Sequence, residues 1–160
     1  MTALLWYNVY MNTLSESQKG YIAGFIDGEG CISIYEFKRI RYLHKQYTAV
    51  VRVTNTNQEV LDTLRRWTGL GIICSQSIKR TNPKFFNSKP QYGWFLSPNA
   101  TRELLPVIIP FLQVKRDIAK LVLEFYGDKP RPRGRGVTEA VLSKYALLAS
   151  RARELNKRGL

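Results

Sequence analysis

Residues 20–30 read Gly-Tyr-Ile-Ala-Gly-Phe-Ile-Asp-Gly-Glu-Gly, and this stretch occurs once in the 160-residue chain. Its glycines recur every fourth residue, at Gly20, Gly24 and Gly28, so they fall near one face of a helix. A face without side chains lets a second backbone approach closely. The stretch therefore predicts a close helix–helix contact. We expect that contact to involve Gly20, Ala23, Gly24, Ile26 and Asp27.

The remaining faces of this helix are apolar. Ile22, Phe25 and Ile26 recur at i, i+3 and i+4, which is the spacing of a core-facing stripe. No charged residue lies among them, so we expect the helix to be buried all round. Ser15 or Ser17 can cap its start, and after Asp27 the residues Gly28 and Gly30 are expected to end it.

Two acids stand at the carboxyl end of the predicted helix. Asp27 and Glu29 meet the negative end of the helix dipole, which disfavours a carboxylate. A positive group should compensate, and Mg²⁺ prefers carboxylate, carbonyl and water oxygens as ligands. The alternative is a core helix that is capped by glycine and runs into an ordinary turn.

Composition limits the class of protein. The 160 residues suffice for one domain with its own core, and 25 Lys and Arg against 12 Asp and Glu give a net charge of +13. Such an excess suits a polyanionic partner. Cys31 and Cys74 have no CxxC spacing and His44 is the sole histidine, which disfavours zinc and favours an intracellular setting. No apolar run reaches transmembrane length, so no membrane partner is expected.

Period-two segments follow the first helix. Residues 32–39 and 45–54 are predicted strands, and in the second the apolar positions 47, 49, 51 and 53 alternate with a largely polar set. Helices are predicted after the caps Asn57 and Asn99. Residues 72–80 and 91–96 form a second predicted strand pair, and Pro110 is expected to open a helix over 111–126.

The predicted order is αββαββα, an α+β domain in which helices cover one face of an antiparallel four-stranded sheet. That order leaves the other sheet face open. We expect an N-terminal lead over residues 1–14, the domain over 15–126, and a basic linker with a C-terminal helix over 127–160.

Residues 22–30 resemble the nonapeptide of the LAGLIDADG homing endonucleases, with Ile22 for the first Leu and Glu29 at the second acidic position. The αββαββα order from 15 to 126 resembles the domain of that family. The resemblance implies a homodimer, because two DNA strands must be cut and the chain holds one motif. It also implies a site-specific DNA endonuclease that depends on Mg²⁺ or another divalent cation such as Mn²⁺. The implied target is long and partly palindromic, cut to leave 3′ overhangs, and the implied gene lies in an intron or intein.

The resemblance also implies roles for single residues. Glu29, with the Gly28 carbonyl beside it, matches the metal-binding position of the family, and Asp27 is expected to hydrogen-bond at the helix junction. Lys115 falls where the family places a lysine near the scissile phosphate. Asn55 matches a polar position of the solvent network, and these four side chains and the carbonyl form the predicted catalytic centre.

The polar face of the second strand is the predicted DNA-binding surface. Arg52 and Gln46 have the fork geometry that reads guanine and adenine edges, and Thr48 lies between them. The first strand and the hairpin ends are expected to add Ser33, Tyr35, Phe37, Arg39, Arg41, Gln76, Lys79 and Arg80. No acid falls on the polar face of the second strand, which favours DNA over an ordinary polar sheet face.

Other functions share these features. An RNA maturase or a non-cleaving DNA-binding protein on the same scaffold would keep the motif and the basic charge. Glu59 occupies a position where the family often has a basic residue, so the catalytic surroundings differ in this chain. A basic ribosome-associated protein would explain the charge but not the glycine stripe.

Overall fold

The computed structural model describes residues 13–38, 45–76, 89–127 and 138–157. Within these ranges, five helices and four strands follow the predicted αββαββα order and then add two further helices, and the α+β fold class is confirmed. The elements are α1 (Glu16–Glu29), β1 (Gly30–Phe37), β2 (Gln46–Asn55), α2 (Gln58–Thr68), β3 (Ile72–Gln76), β4 (Gln91–Leu96), α3 (Pro98–Ile108), a 3-10 turn (Ile109–Phe111), α4 (Arg116–Tyr126) and α5 (Glu139–Lys157). None of the helices within these ranges is long and apolar enough to span a membrane.

Helix α1 begins at a capping box. The Gln18 backbone N–H donates to Ser15 Oγ at 3.2 Å, and the Ser15 N–H donates to Gln18 Oε1 at 2.9 Å. Gly30 ends the helix, as expected, but Gly28 does not, because the helix continues past Asp27 through Glu29. The Gly30 N–H still bonds to the Ile26 carbonyl while Gly30 is already extended, so the chain passes from helix to strand without a loop.

The sheet is antiparallel throughout, with the order β1-β2-β4-β3. Facing residues of neighbouring antiparallel strands share a face, so the register fixes both faces. One face is buried and packs against the helices. Its side chains are Ile32, Ile34, Ala49, Val51, Val53, Trp94 and Leu96. No described element covers the other face.

Two predicted helix starts were wrong. Helix α3 is capped by Ser97, whose Oγ accepts from the Ala100 N–H at 3.2 Å, and not by Asn99. Pro110 lies in the 3-10 turn, and Leu112 is extended, so α4 begins only at Arg116. The resulting loop over residues 112–115 precedes α4 and carries Lys115.

Helix α5 packs against β1 and α4, and its side chains enter the same core. Leu148, Ala149 and Ala152 are buried. Near its end, Asn156 Nδ2 donates to the Ile32 carbonyl of β1 at 3.1 Å. The C-terminal helix is therefore joined to the sheet at strand β1.

Gly71 has a left-handed backbone beside the largest buried side chain. Its φ is +77°, and an added Cβ would lie 2.6 Å from Trp94 Nε1 and 2.7 Å from the Phe95 carbonyl oxygen. Gly71→Ala is expected to lower the free energy of unfolding by about 2–5 kcal/mol, from backbone strain and overpacking. Gly69→Ala is the matched control, since Gly69 has φ +66° but no atom within 4 Å. Chemical denaturation measures the free energy of unfolding of both variants. Equal losses in the two would show that overpacking against Trp94 contributes nothing.

Candidate functional site

The carboxyl end of α1 presents an acid to solvent. Glu29 is the last residue of the helix and is exposed, as is Gly28. In the described part of the chain, the Glu29 carboxylate has neither a hydrogen-bond donor nor a cation as partner. A free carboxylate at the negative helix end fits a divalent cation. The described residues hold no group of three His, Cys, Asp or Glu side chains that could bind a metal.

The Asp27 carboxylate joins α1 to the loop before α4. Its Oδ2 accepts from the N–H groups of Gln113 at 2.6 Å and Val114 at 3.2 Å, and its Oδ1 accepts from the Lys115 N–H at 2.8 Å. Both oxygens are thereby used on backbone donors far away in sequence. These three bonds give Asp27 a positioning role at the junction between α1 and the loop before α4.

The Lys115 ammonium completes this connection from the other side. Its Nζ donates to the Asp27 carbonyl oxygen, so the cation lies at the carboxyl end of α1, against the residue two positions before Glu29. Lys115 is also the N-cap residue of α4, without a side-chain capping bond of its own. The structure therefore brings Asp27, Glu29 and Lys115 to one end of one helix.

The Asn55 side chain makes no described contact with Asp27, Glu29 or Lys115 and instead stabilises a turn. Its Oδ1 accepts from the Asn57 N–H at 2.8 Å, in the turn between β2 and α2. The register pairs Gly30 with Val53, so Asn55 lies at the same sheet end as the start of β1. Its predicted place in a solvent network stays a prediction.

The substitution Asp27→Asn is expected to lower the free energy of unfolding by about 2–3 kcal/mol. The amide has one acceptor oxygen for three backbone donors, and its own NH₂ group would face one of them. Thermal and chemical denaturation measure the loss. Asp62→Asn, a half-buried acid of α2, is the control and should stay within about 0.5 kcal/mol of the parent. Equal stability of the two variants would show that the junction bonds contribute little.

The glycine face of α1 is open. Added Cβ atoms at Gly24 and Gly28 would meet nothing within 4 Å, and Tyr21 on the same side is 46% exposed. The expectation that the helix is buried all round was therefore wrong for a single chain. Gly20 is flanked by Phe111, whose Cδ1 would lie 3.9 Å from an added Cβ.

The predicted contact residues divide between two sides of α1. Ala23 and Ile26 are fully buried in the core of their own chain, so their expected place on the contact face was wrong. The sequence analysis did not assign two aromatic residues, Tyr21 and Trp67, to that face. Tyr21 makes an edge contact with Trp67 of α2 at 5.6 Å between ring centroids. The spacing of Tyr21 from Gly24 and Gly28 places it on their side and could have identified it.

The uncovered sheet face carries the predicted DNA-binding strand residues. The register pairs Gln46 with Phe37, Thr48 with Tyr35, and Val50 with Ser33. Arg52 is exposed, Gln46 and Thr48 are half-buried, and Ser33 is only 6% exposed, so Ser33 offers little surface to a ligand. The predicted residues Arg39, Arg41, Lys79 and Arg80 lie outside the described residues, and Gln76 ends β3 opposite Gln91.

The same face includes residues that the sequence analysis did not assign to it. Cys31 pairs with Arg52, and its Sγ lies 3.7 Å from the Tyr35 hydroxyl. Burial raises the pKa of the Tyr35 phenol, and the contact with Cys31 raises it further. Tyr35 therefore stays neutral at physiological pH and can donate a hydrogen bond. Phe95 and Ile72 continue the row beyond Arg52.

Comparison with known proteins agrees with this geometry. A model of the LAGLIDADG endonuclease family matches residues 22–93, which run from the second half of α1 through β1, β2, α2 and β3 into β4. No curated protein gives a significant match. The solved structure of the homing endonuclease I-CvuI, in complex with the I-CreI target and Mg, superposes with a TM-score of 0.71 at 25% identity. The match covers 88% of this chain and 82% of that one.

Other solved structures share the fold at lower identity. The archaeal intron-encoded homing endonuclease I-Vdi141I, complexed with DNA, has a TM-score of 0.69 at 20% identity, over 88% of this chain and 84% of that one. I-SmaMI, bound to an uncleaved DNA target with calcium ions, has a TM-score of 0.58 at 20% identity. The match to I-SmaMI covers 89% of this chain but 46% of that one. Residues 22–93, with one copy of the motif, thus match the LAGLIDADG endonuclease family model, and the chain shares the fold of the homing endonuclease I-CvuI.

Proposed function

We propose that the chain is a homodimeric, Mg²⁺-dependent endonuclease that cuts both strands of a long, partly palindromic DNA site. One observation carries the proposal: the open glycine face of α1 ends at the exposed carboxylate of Glu29, beside a sheet face without a described carboxylate. A helix that served only to bind another protein would need the open glycine face, but neither the exposed carboxylate nor the acid-free sheet face. The combination supports a catalytic acid that is placed next to a polyanion.

The open face of α1 supports the dimer. Gly24 and Gly28 leave room for the backbone of a second α1, and Tyr21 and Phe111 border that space. Each chain contributes one Glu29, so a pair of chains supplies one acid for each DNA strand. The partly palindromic target follows, because two identical sheets related by a two-fold axis read the same bases on opposite strands.

Each residue at the end of α1 has a distinct proposed role. Glu29 and the Gly28 carbonyl hold a divalent cation, which when bound activates water and stabilises the leaving oxygen. Asp27 holds the loop that carries Lys115, through the three backbone bonds described above. Lys115 keeps a positive charge at the helix end, where it can approach a phosphate of the bound strand.

The charge of the chain supports DNA as the substrate. Two protomers at +13 each displace many phosphate counterions, so affinity is expected to fall steeply with salt. The comparison structures with bound DNA support the same substrate class for this fold. The divalent cation is supported by the Mg and calcium named with those complexes.

Selection from randomised DNA tests the proposal without knowledge of the natural target. A plasmid library with a randomised 24-base-pair segment, a length of about two helical turns, is incubated with the protein and Mg²⁺, and cut ends are captured and sequenced. The expected result is a partly palindromic consensus cut on both strands. Bound DNA that is never cut with Mg²⁺ or Mn²⁺ would overturn the nuclease and leave the maturase or non-cleaving binding protein in its place.

A further inference from the structure

Four side chains form one row across the uncovered sheet face. The register pairs Ile72 with Phe95, Phe95 with Arg52, and Arg52 with Cys31, one residue from each strand. Ile72 is 60% exposed, Phe95 is half-buried and Arg52 is exposed. The row therefore passes from an apolar end at β3 to a cation at β2.

The exposed Ile72 side chain has neither a charge nor a hydrogen-bonding group, so it cannot bind a phosphate. In the DNA major groove, the thymine methyl group is the apolar feature that side chains read, whereas Arg reads the guanine edge. Ile72 lies in the same row as Arg52, on a face where no described carboxylate repels DNA. The chemistry of this row fits a groove with a thymine beside a guanine.

We propose that Ile72, with Phe95 behind it, reads a thymine methyl group in each half-site, next to the base that Arg52 reads. This inference rests on the proposed DNA-binding function and adds a specificity residue to it. The group that contacts Ile72 and Phe95 is thus the edge of a base in double-stranded DNA.

The row also has a defined place along the target. Cys31 follows Glu29 by two residues, so the row lies at the sheet end nearest the catalytic acid. Gln46 is six residues further along β2, a distance of about 20 Å at about 3.4 Å per residue. At about 3.4 Å per base pair, Gln46 reads a position roughly six base pairs further out. Ile72 therefore acts on the inner part of each half-site.

Replacement of thymine by deoxyuridine tests the methyl contact directly, because it removes the methyl group and keeps the base pairing. The probe is a duplex of the selected consensus with deoxyuridine at single symmetric pairs of thymine positions. Affinity is measured with Ca²⁺ in place of Mg²⁺. The parent should lose about fourfold per methyl group at one inner position, and uracil elsewhere should have little effect.

The variant Ile72→Ala should bind the thymine and uracil duplexes equally, with an affinity close to that of the parent on uracil. Ile72 is mostly exposed, so the variant should fold, and thermal unfolding checks this. Thr48→Ala, on the same face but further out, is the control and should keep the uracil penalty at the inner position. Specific binding by the parent without any inner uracil penalty, or an equal penalty in Ile72→Ala, would overturn the inference. Failure of the parent to select any DNA would instead overturn the proposed function.

Discussion

The substitution Glu29→Gln is expected to lower the rate of DNA cleavage by at least about a thousandfold and to leave DNA affinity nearly unchanged. Gln keeps the size and hydrogen-bonding capacity of the side chain but removes the charge that would hold the cation. Binding energy comes mainly from the strands and from basic side chains, so affinity and chemistry should separate. Cleavage of the selected site with Mg²⁺, beside a gel-shift titration with Ca²⁺, measures both.

Glu154→Gln provides the control for this experiment. Glu154 is an exposed acid of α5, so its substitution makes the same change in net charge on another helix. The control should cut at the parent rate. If Glu29→Gln also cuts at the parent rate, the nuclease can stand but Glu29 is not its metal ligand.

A second large effect is expected from Gly24→Leu, which should convert the proposed dimer to monomers. An added Cβ at Gly24 meets nothing within 4 Å in its own chain, so the protomer tolerates the side chain. Between two helices, the leucines would separate the backbones and weaken association by about a hundredfold or more. Light scattering and sedimentation measure the mass, and double-strand cleavage should be lost with the dimer.

Ser143→Leu on the exposed surface of α5 is the matched change. It adds the same kind of apolar group away from α1 and should leave the mass and the cleavage rate as in the parent. An intact Gly24→Leu dimer with normal cleavage would show that the glycine face does not form the contact. Unchanged circular dichroism would exclude misfolding as the cause of a monomer.

Local patterns in the sequence were sufficient to predict the order of elements. The alternation from Gln46 to Val53 predicted a strand with one buried face, and the register confirms that face. Asn57 was identified correctly as a helix cap, and Ser15 was one of the two residues expected to cap α1, because capping depends on a few neighbouring residues. The glycine stripe of α1 was also visible as a simple repeat every fourth residue.

Features that depend on contacts distant in sequence could not be predicted. The backbone bonds of Asp27 to residues 113–115 join groups 86 to 88 positions apart. The row from Ile72 to Cys31 requires the strand order β1-β2-β4-β3, which the periodicity of single strands does not contain. The start of α4 was misjudged because Pro110 is compatible with both a 3-10 turn and an α-helix. The roles of Glu29, Lys115 and Asn55 stay predictions.

The bond from Asn156 to the Ile32 carbonyl has a consequence for solubility. Strand β1 is at an end of the sheet order, where unpaired backbone groups can template pairing with another molecule. Helix α5 lies against this strand and occupies one of its carbonyl groups. A chain that ends before residue 139 would expose the backbone groups of this edge strand. It should precipitate or aggregate through strand pairing, even though it retains the motif and Glu29.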